Sequence, residues 1–448
     1  LAEKLLEEIA DYVISPKKFP KSTLETAQMA FADAFGCAVK ATGVPACTKI
    51  LPPWFGEKTL NPIEEAFRWT CLIRWLDYND TWLSKEWAHP SDNIGALIPF
   101  LKKKTFKELF SNMIEAYEIQ GILSLSWSCN ERGFDHAYFI KIASGAVVAK
   151  LMGGDKKKVI DTLSHLFIDG PSLRTYRHYP NTVSRKSWAA ADATSRAVYL
   201  ANLVAQGEVG LPQPITEPKW GVESRYFGGE KLSLKSPLDH MIMDNILFKV
   251  RFPIEFHAQT AVEAATGAHV NIDDIEKITI YTHEAAKKII DKKGPLNSPA
   301  DRDHCIQYGV AIGLLFHDLV AEDFEEKRAK DPRIDALREK MEVIEEERYT
   351  KLYHDPAHRS IPNRLEIKLK GNDKPLVIEL LDPIGHPKRR KEALPLLKTK
   401  LQKNLSLLGD EKADELTAFL FSPDLLDQPI APFLEKIEGI VSKNYDKS

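Results

Sequence analysis

Acids, aromatics, a His-Pro pair and a glycine crowd into one stretch of this chain, Arg74-Trp-Leu-Asp-Tyr-Asn-Asp-Thr-Trp-Leu-Ser-Lys-Glu-Trp-Ala-His-Pro-Ser-Asp-Asn-Ile-Gly95. Charged groups are almost never fully buried without partners, so this density is costly in a plain core helix. Two readings compete. Either the stretch is a solvated turn in which Ser91 or Asp92 caps a helix, or its carboxylates and imidazole move protons. Other stretches gather cations and imidazoles: Gly133-Phe-Asp-His136, Arg174-Thr-Tyr-Arg-His178, Ser184-Arg-Lys-Ser-Trp188, Phe248-Lys-Val-Arg-Phe-Pro-Ile-Glu-Phe-His257 and Asp303-His-Cys-Ile-Gln-Tyr308. Each is weak alone, because a single His or Lys is more often solvated than catalytic. Together they suit a polyanionic ligand, since Lys and Arg donate charge-assisted hydrogen bonds to carboxylates.

The elements that must hold these groups change along the chain. The first half reads as successive helices. Ser22-Thr-Leu-Glu25 has the form of a capping box, followed by apolar residues at helical spacing. Asn61-Pro-Ile-Glu-Glu65 opens another helix, and residues 105–125, 136–152 and 187–206 share the period, the second ending at Gly153-Gly154. Glycines and prolines punctuate residues 207–240, which reads as the exit from a helical domain. Beyond it, residues 275–281, 364–370 and 375–380 carry strand signals, the last two joined by Gly371-Asn-Asp-Lys374 as a hairpin. Helices are expected near 257–267, 303–317 and 335–345, and the tail from Ala393 is helical again.

Length and composition narrow the function. A chain of 448 residues points to two domains or so. With 61 basic and 64 acidic residues and a net charge of −3, no block of one sign argues for nucleic acid as a partner. No apolar run approaches the roughly 20 residues that span a bilayer. The start, Leu1-Ala-Glu-Lys-Leu-Leu-Glu-Glu-Ile9, reads as acidic and amphipathic rather than as a signal peptide. Five scattered cysteines, Cys37, Cys47, Cys71, Cys129 and Cys305, argue for a reducing compartment and against an iron–sulfur cluster, which usually includes a close Cys-x-x-Cys pair. No zinc-type His/Cys spacing appears either.

The 74–95 stretch resembles the signature of the MmgE/PrpD family, Asp-x-x-Asp-Thr-Trp followed by His-Pro-Ser. Within that family it is most similar to the branch that dehydrates 2-methylcitrate. Glu118-Ile-Gln-Gly121, Asp135-His136, residues 172–178 and 184–196, Phe252-Pro-Ile-Glu-Phe-His257, residues 301–308 and Ile384-Gly-His386 fit the same branch. The resemblance covers nearly the whole chain, although the stretches at 56–61 and 102–107 are shorter than it leads one to expect. It implies a mainly α fold with an α+β part: a large helical domain built from both chain ends (residues 1–244 and 393–448) and an inserted smaller α+β lid (residues 245–392). The site would lie between them.

The activity implied is elimination of water from 2-methylcitrate, and from citrate, in the methylcitrate cycle of propionate degradation. It implies no metal or other cofactor, a homodimer, and a place in the cytoplasm or the mitochondrial matrix. By the same resemblance Asp77, Thr81, His89, His136, Lys186, Lys249, His257 and Tyr308 line the pocket. His89 is the leading acid or base, with Asp77 its partner, favouring the protonated ring, or the opposite proton carrier. Thr81 and Tyr308 act as donors or relays. Lys186 anchors carboxylates from the helical part and Lys249 from the lid side, with His136 and His257 as further substrate contacts. Two other readings remain: decarboxylation of cis-aconitate within the same family, and a non-catalytic helical interaction protein.

Overall fold

The computed structural model describes residues 3–54, 59–178, 180–355 and 358–445. The shortened stretch at 56–61 therefore lies partly outside the described residues. Two separate apolar cores organise the chain. The first gathers residues from Leu5 to Val250 and from Ala393 to Ile437, so both chain ends close one helical body. The second gathers residues from Phe252 to Ile367. Ile246, Phe248 and Val250 still belong to the first core. Lys249, expected on the lid side, is thus carried by a segment packed on the helical body.

Side-chain caps fix some of the helix starts. At the Pro62–Arg74 helix, Asn61 Oδ1 accepts from the amides of Ile63 and Glu64 at 3.0 and 3.1 Å, and Glu64 reaches back to the Asn61 amide at 3.3 Å. The capping box expected at Ser22 and Glu25 does not form. The Lys21–Ala41 helix starts earlier, from Pro20, and this puts Ser22 inside its first turn. Residues 207–240 do not lead away from the helices. Ile215, Val222, Phe227 and Leu232 are buried in the helical core, and the Glu3 carboxylate holds the amides of Ile215 and Thr216 at 2.8 and 2.6 Å.

The second core sits under one face of a four-stranded sheet, ordered β2-β1-β3-β4, where β1 is Ile275–Thr282, β2 Met341–Glu345, β3 Asn363–Leu369 and β4 Leu376–Leu380. β1 and β3 run antiparallel with Ile278 opposite Ile367 and Ile280 opposite Leu365. β3 and β4 form the expected hairpin, turning at Gly371, whose φ of 73° suits glycine. The helix expected over 335–345 divides. Pro332–Arg338 is helical, and Met341–Glu345 pairs in parallel with β1, because its burial alternates with the period of a strand.

The 74–95 stretch joins two helices that cross at very close range. A Cβ on Gly95, in the Ile94–Leu101 helix, would stand 2.1 Å from Thr70 Oγ1 and 2.5 Å from the Thr70 amide nitrogen. Thr70 in turn donates to the Asp92 carbonyl at 3.1 Å and accepts from Thr194 Oγ1 at 2.9 Å. Gly95→Ala should therefore force these helices apart and lower stability by about 1–3 kcal/mol, the usual scale of overpacking. Thermal unfolding measures it, and an unchanged midpoint would mean that the crossing is looser than described.

Candidate active site

The 74–95 stretch is buried and internally bonded, which removes the solvated-turn reading. Asp80 Oδ1 accepts from the Ser91 amide at 3.0 Å and its Oδ2 from the Tyr117 hydroxyl at 2.7 Å. Asn79 Nδ2 donates to Ser91 Oγ at 2.8 Å and to Asp92 Oδ1 at 2.9 Å. Asn79, Asp80, Ser91, Asp92 and Asn93 are all 0% exposed. Backbone bonds pair Thr81 with Leu247 and Trp82 with Ala88, and His89 follows that short ladder, extended ahead of Pro90.

Asp77 departs from its neighbours. Its φ of 50° lies in the left-handed region, where a non-glycine residue is strained. That turn sends its carboxylate into a nest of cations. Oδ1 accepts from Arg74 Nη1 at 2.6 Å and from Lys249 Nζ at 2.7 Å, and Lys186 Nζ stands 4.0 Å from Oδ2. Lys249 Nζ also donates to the Asp77 carbonyl at 2.5 Å. Burial alone would raise this carboxyl, but Arg74, Lys249 and Lys186 outweigh it and hold Asp77 well below the usual carboxylate range. Lys186 carries the ion-pair chain onward to Asp303 at 2.8 Å, crossing from the helical body to the α+β unit.

A second clamp holds the same two segments from the far side. Lys400, in the Arg390–Leu405 helix near the chain's end, donates to the carbonyls of Tyr78 and Lys249 at 2.6 and 2.5 Å and pairs with buried Asp33 at 2.5 Å. The Tyr78 hydroxyl donates to the carbonyls of Val250 and Arg251 at 3.0 and 2.8 Å.

Asp77, Arg74 and Lys249 face a cavity of about 100 Å³ between the two cores. His89, Asp77, His136, Lys249 and His257 line it, together with Arg74, Lys85, Glu86, Trp87, Asn130, Arg174, Arg177, His178, Glu255 and His304. Arg74, Lys85, Arg174, Arg177 and Lys249 outnumber the carboxyl groups of Asp77, Glu86 and Glu255, so the cavity favours an anion.

The imidazoles are fixed differently. His89 Nδ1 lies 2.9 Å from the Asp80 carbonyl, which only a protonated Nδ1 can satisfy, so Nε2 keeps its lone pair. Burial, then Arg74, hold this imidazole well below the usual histidine range, and the opposing pull of Asp77 does not offset them. The ring is neutral and held by a backbone carbonyl. It is neither protonated by Asp77 nor bonded to it, as the sequence reading had it. The His136 ring is 5.7 Å from that of His89, and its buried Nε2 finds no hydrogen-bond partner among the described residues. Burial brings it down to about 3, against the pull of Asp135. Asp135 itself is fixed by Arg177 and the Ala137 amide.

His257 Nδ1 lies 2.6 Å from Glu255 Oε1, and its Nε2 lies 3.2 Å from the Tyr353 hydroxyl. Trp87 Nε1 donates to that hydroxyl at 2.7 Å, so both ring nitrogens of His257 are engaged, and Trp87 and Tyr353 pack in a small third apolar cluster with Leu83, Leu247, Phe256 and Ile361. His304 Nδ1 lies 2.5 Å from Asp303 Oδ1.

Three expected residues take other places. Thr81 Oγ1 touches His89 Nδ1 at 3.4 Å from behind the ring. Lys186 reaches the cavity through Asp303, His304 and Asp77 rather than as a free anchor. The structure does not bring Tyr308 to the cavity: its hydroxyl donates to the Asp323 carbonyl at 2.7 Å, and its ring lies in the second core. In the other direction, Arg74 and Glu86 stood inside the stretch singled out by its density, and Arg174, Arg177 and His304 inside the cationic motifs. Glu255 lacked any signal beyond its place two residues before His257.

The chain matches the MmgE/PrpD N-terminal domain over residues 7–235 and the MmgE/PrpD C-terminal domain over residues 252–420. It is 43% identical to the 2-methylcitrate dehydratase of Escherichia coli K12, the match covering 90% of either chain. It is 45% identical to the mitochondrial 2-methylcitrate dehydratase of Yarrowia lipolytica, over 97% of this chain and 90% of that one. To the 2-methylcitrate dehydratase of Cupriavidus necator it is 42% identical, over 97% and 96%.

Removing one member of a fully buried ion pair leaves the other charge stranded. Lys249 is 1% exposed and Asp77 4%. Lys249→Met should cost about 3–5 kcal/mol in urea unfolding, and adding Asp77→Asn should recover part of that loss. Additive losses in the double variant would show that the two side chains do not depend on one another.

Proposed function

Because the chain belongs to the MmgE/PrpD family, we propose that it is a hydro-lyase that eliminates water from 2-methylcitrate to give 2-methyl-cis-aconitate, with citrate as a second substrate. The observation that carries this reading is identity of 42–45% to 2-methylcitrate dehydratases over nine-tenths or more of the chain. The cavity supports it, since a tricarboxylate needs cations and a base in one place.

Dehydration of this kind takes a weakly acidic proton from the carbon beside a carboxylate. His89 is the base in this reading. Its Nδ1 proton is committed to the Asp80 carbonyl, and Nε2 is free of protein donors among the described residues. A bound tricarboxylate brings negative charge beside the ring, which raises its proton affinity toward the range a base needs. Arg174, Arg177 and Lys85 hold the substrate carboxylates by charge-assisted hydrogen bonds and stabilise the charge that builds as the proton leaves. Asp77 carries no proton. It holds Lys249, Arg74 and Lys186 in position.

A volume of about 100 Å³ is small beside ordinary ligand pockets, which start near 300 Å³. In this reading the α+β unit is a lid that opens to admit substrate, with Trp87 and Tyr353 parting and re-forming their bond. Pairing of two copies through the helical body and residence in the cytoplasm or mitochondrial matrix belong to the same proposal. Among the described residues no helix is long and apolar enough to cross a membrane.

The test is a direct assay of the purified protein with 2-methylcitrate and with citrate, following the absorbance of the conjugated alkene. The expected product is methylaconitate rather than itaconate, formed equally well in the presence of a chelator. His89→Gln should lower kcat about a hundredfold or more with an unchanged thermal midpoint, the usual scale for losing a positioned base. A stable His89→Gln protein that turns over at the wild-type rate would falsify the assignment of the base.

A further inference from the structure

Hydroxide is a poor leaving group, so a dehydratase needs a proton donor as well as a base. Most titratable groups lining the cavity are committed elsewhere. Lys249 is bonded to Asp77, His257 has both nitrogens engaged, and His304 is bonded to Asp303. His136 Nε2 lacks a partner among the described residues, but burial holds that imidazole neutral, with no spare proton to give, whereas the free carboxyl oxygen of Glu86 is not so limited. Glu86 precedes His89 by three residues, lines the same cavity and is 2% exposed. Its Oε2 accepts from Ser128 Oγ at 2.9 Å and from the Asn130 amide at 2.7 Å, both of which fix the carboxyl plane. Among the described residues no donor reaches Oε1, and Arg174 Nη1 stands 3.7 Å away, beyond hydrogen-bond distance.

We propose that Glu86 is the general acid, giving the proton on Oε1 to the departing hydroxyl group. The assignment rests on the dehydratase reading above. In the step, His89 Nε2 takes the proton from carbon, and the electrons of that C–H bond become the second bond of the alkene. The C–O bond breaks with its pair going to oxygen, and the Glu86 proton completes a water molecule. His89 gains one proton and Glu86 loses one, and exchange with solvent after product release restores both.

The surroundings suit an acid that keeps its proton. Burial pushes the Glu86 carboxyl up to about 7, against the opposing pull of the Asn130 amide, Arg174 and Ser128, with Asp135 pushing the same way as burial. Lys85, His89, His136, Arg177 and His178, with Asp77 and Glu255, line the same cavity, and Cys129 and Tyr353 lie in the field of Glu86 as well. Both are pushed up by burial and stay neutral, so neither competes for the proton at working pH. An acid must be protonated to act, so turnover should fall as pH rises through the Glu86 value, while protonation of His89 sets the limb on the acid side. Bound carboxylates shift that fall upward.

Glu86→Gln is the informative variant, because its amide oxygen can still accept from Ser128 and Asn130. It should keep the wild-type thermal midpoint and KM, lose about a hundredfold in kcat, and lose the alkaline fall in kcat assigned to Glu86. A substrate analogue with fluoride in place of the hydroxyl needs far less help from an acid, so the variant should process it within a few-fold of wild type. Equal losses on both substrates would make Glu86 a structural residue and overturn the proposal, as would a Glu86→Gln enzyme that dehydrates at the wild-type rate. Wild-type protein inactive on 2-methylcitrate would instead remove the dehydratase reading itself.

Discussion

The ion pairs around Asp77 are the interaction on which the rest of the site depends. A carboxylate withdrawn from water must find counter-charge or give up its charge. Here it finds Arg74 from the end of one helix, Lys249 from the segment between the two cores, and Lys186 from the first turn of the Arg185–Ala205 helix. Satisfying one anion therefore brings three remote pieces of chain to one point. Lys186 extends the chain of charge to Asp303 in the α+β unit. The left-handed turn at Asp77 is the local cost of this arrangement, and surrounding bonds over-determine it.

Burial then sorts groups of the same type into different roles. Asp77 and Asp135 are crowded by cations and stay ionised. Glu86 and Asp92 lack enough counter-charge, and burial pushes both up to about 7, yet only Glu86 faces the cavity. The imidazoles of His89 and His136 are driven the other way, to neutrality, by burial and by the arginines around them. A cavity that holds neutral bases beside fixed cations is one in which an arriving polyanion supplies the missing negative charge.

Much of this was legible in the residues, and what was not has physical reasons. The 74–95 stretch stood out by density, and its first and last residues sit at the helix crossing that frames the cavity. The alternation of apolar residues placed β1, β3 and β4, because a half-buried strand leaves a period of two. Met341–Glu345 was read as helix because five residues of that period following a real helix do not outweigh it. The partner of His89 was misread because a backbone carbonyl leaves no trace in side-chain spacing, whereas a nearby aspartate does. Tyr308 follows His304 by four residues, the spacing of a helix turn, but the helix begins at Ile306, so His304 lies ahead of it at the cavity while Tyr308 meets the core.

Lys400 gives the site an order of assembly. Its ammonium joins the carbonyls of Tyr78 and Lys249, the residues flanking or carrying the Asp77 cluster, and it is made after every residue that lines the cavity. During synthesis the cavity-lining side chains all leave the ribosome before the group that clasps their backbones together. Domains tend to fold as their residues emerge, N-terminal parts first. For this topology the backbones of Tyr78 and Lys249 stay unclasped until the Arg390–Leu405 helix docks. Chemical competence and closure of the core thus arrive in the same step, once the Arg390–Leu405 helix is in place.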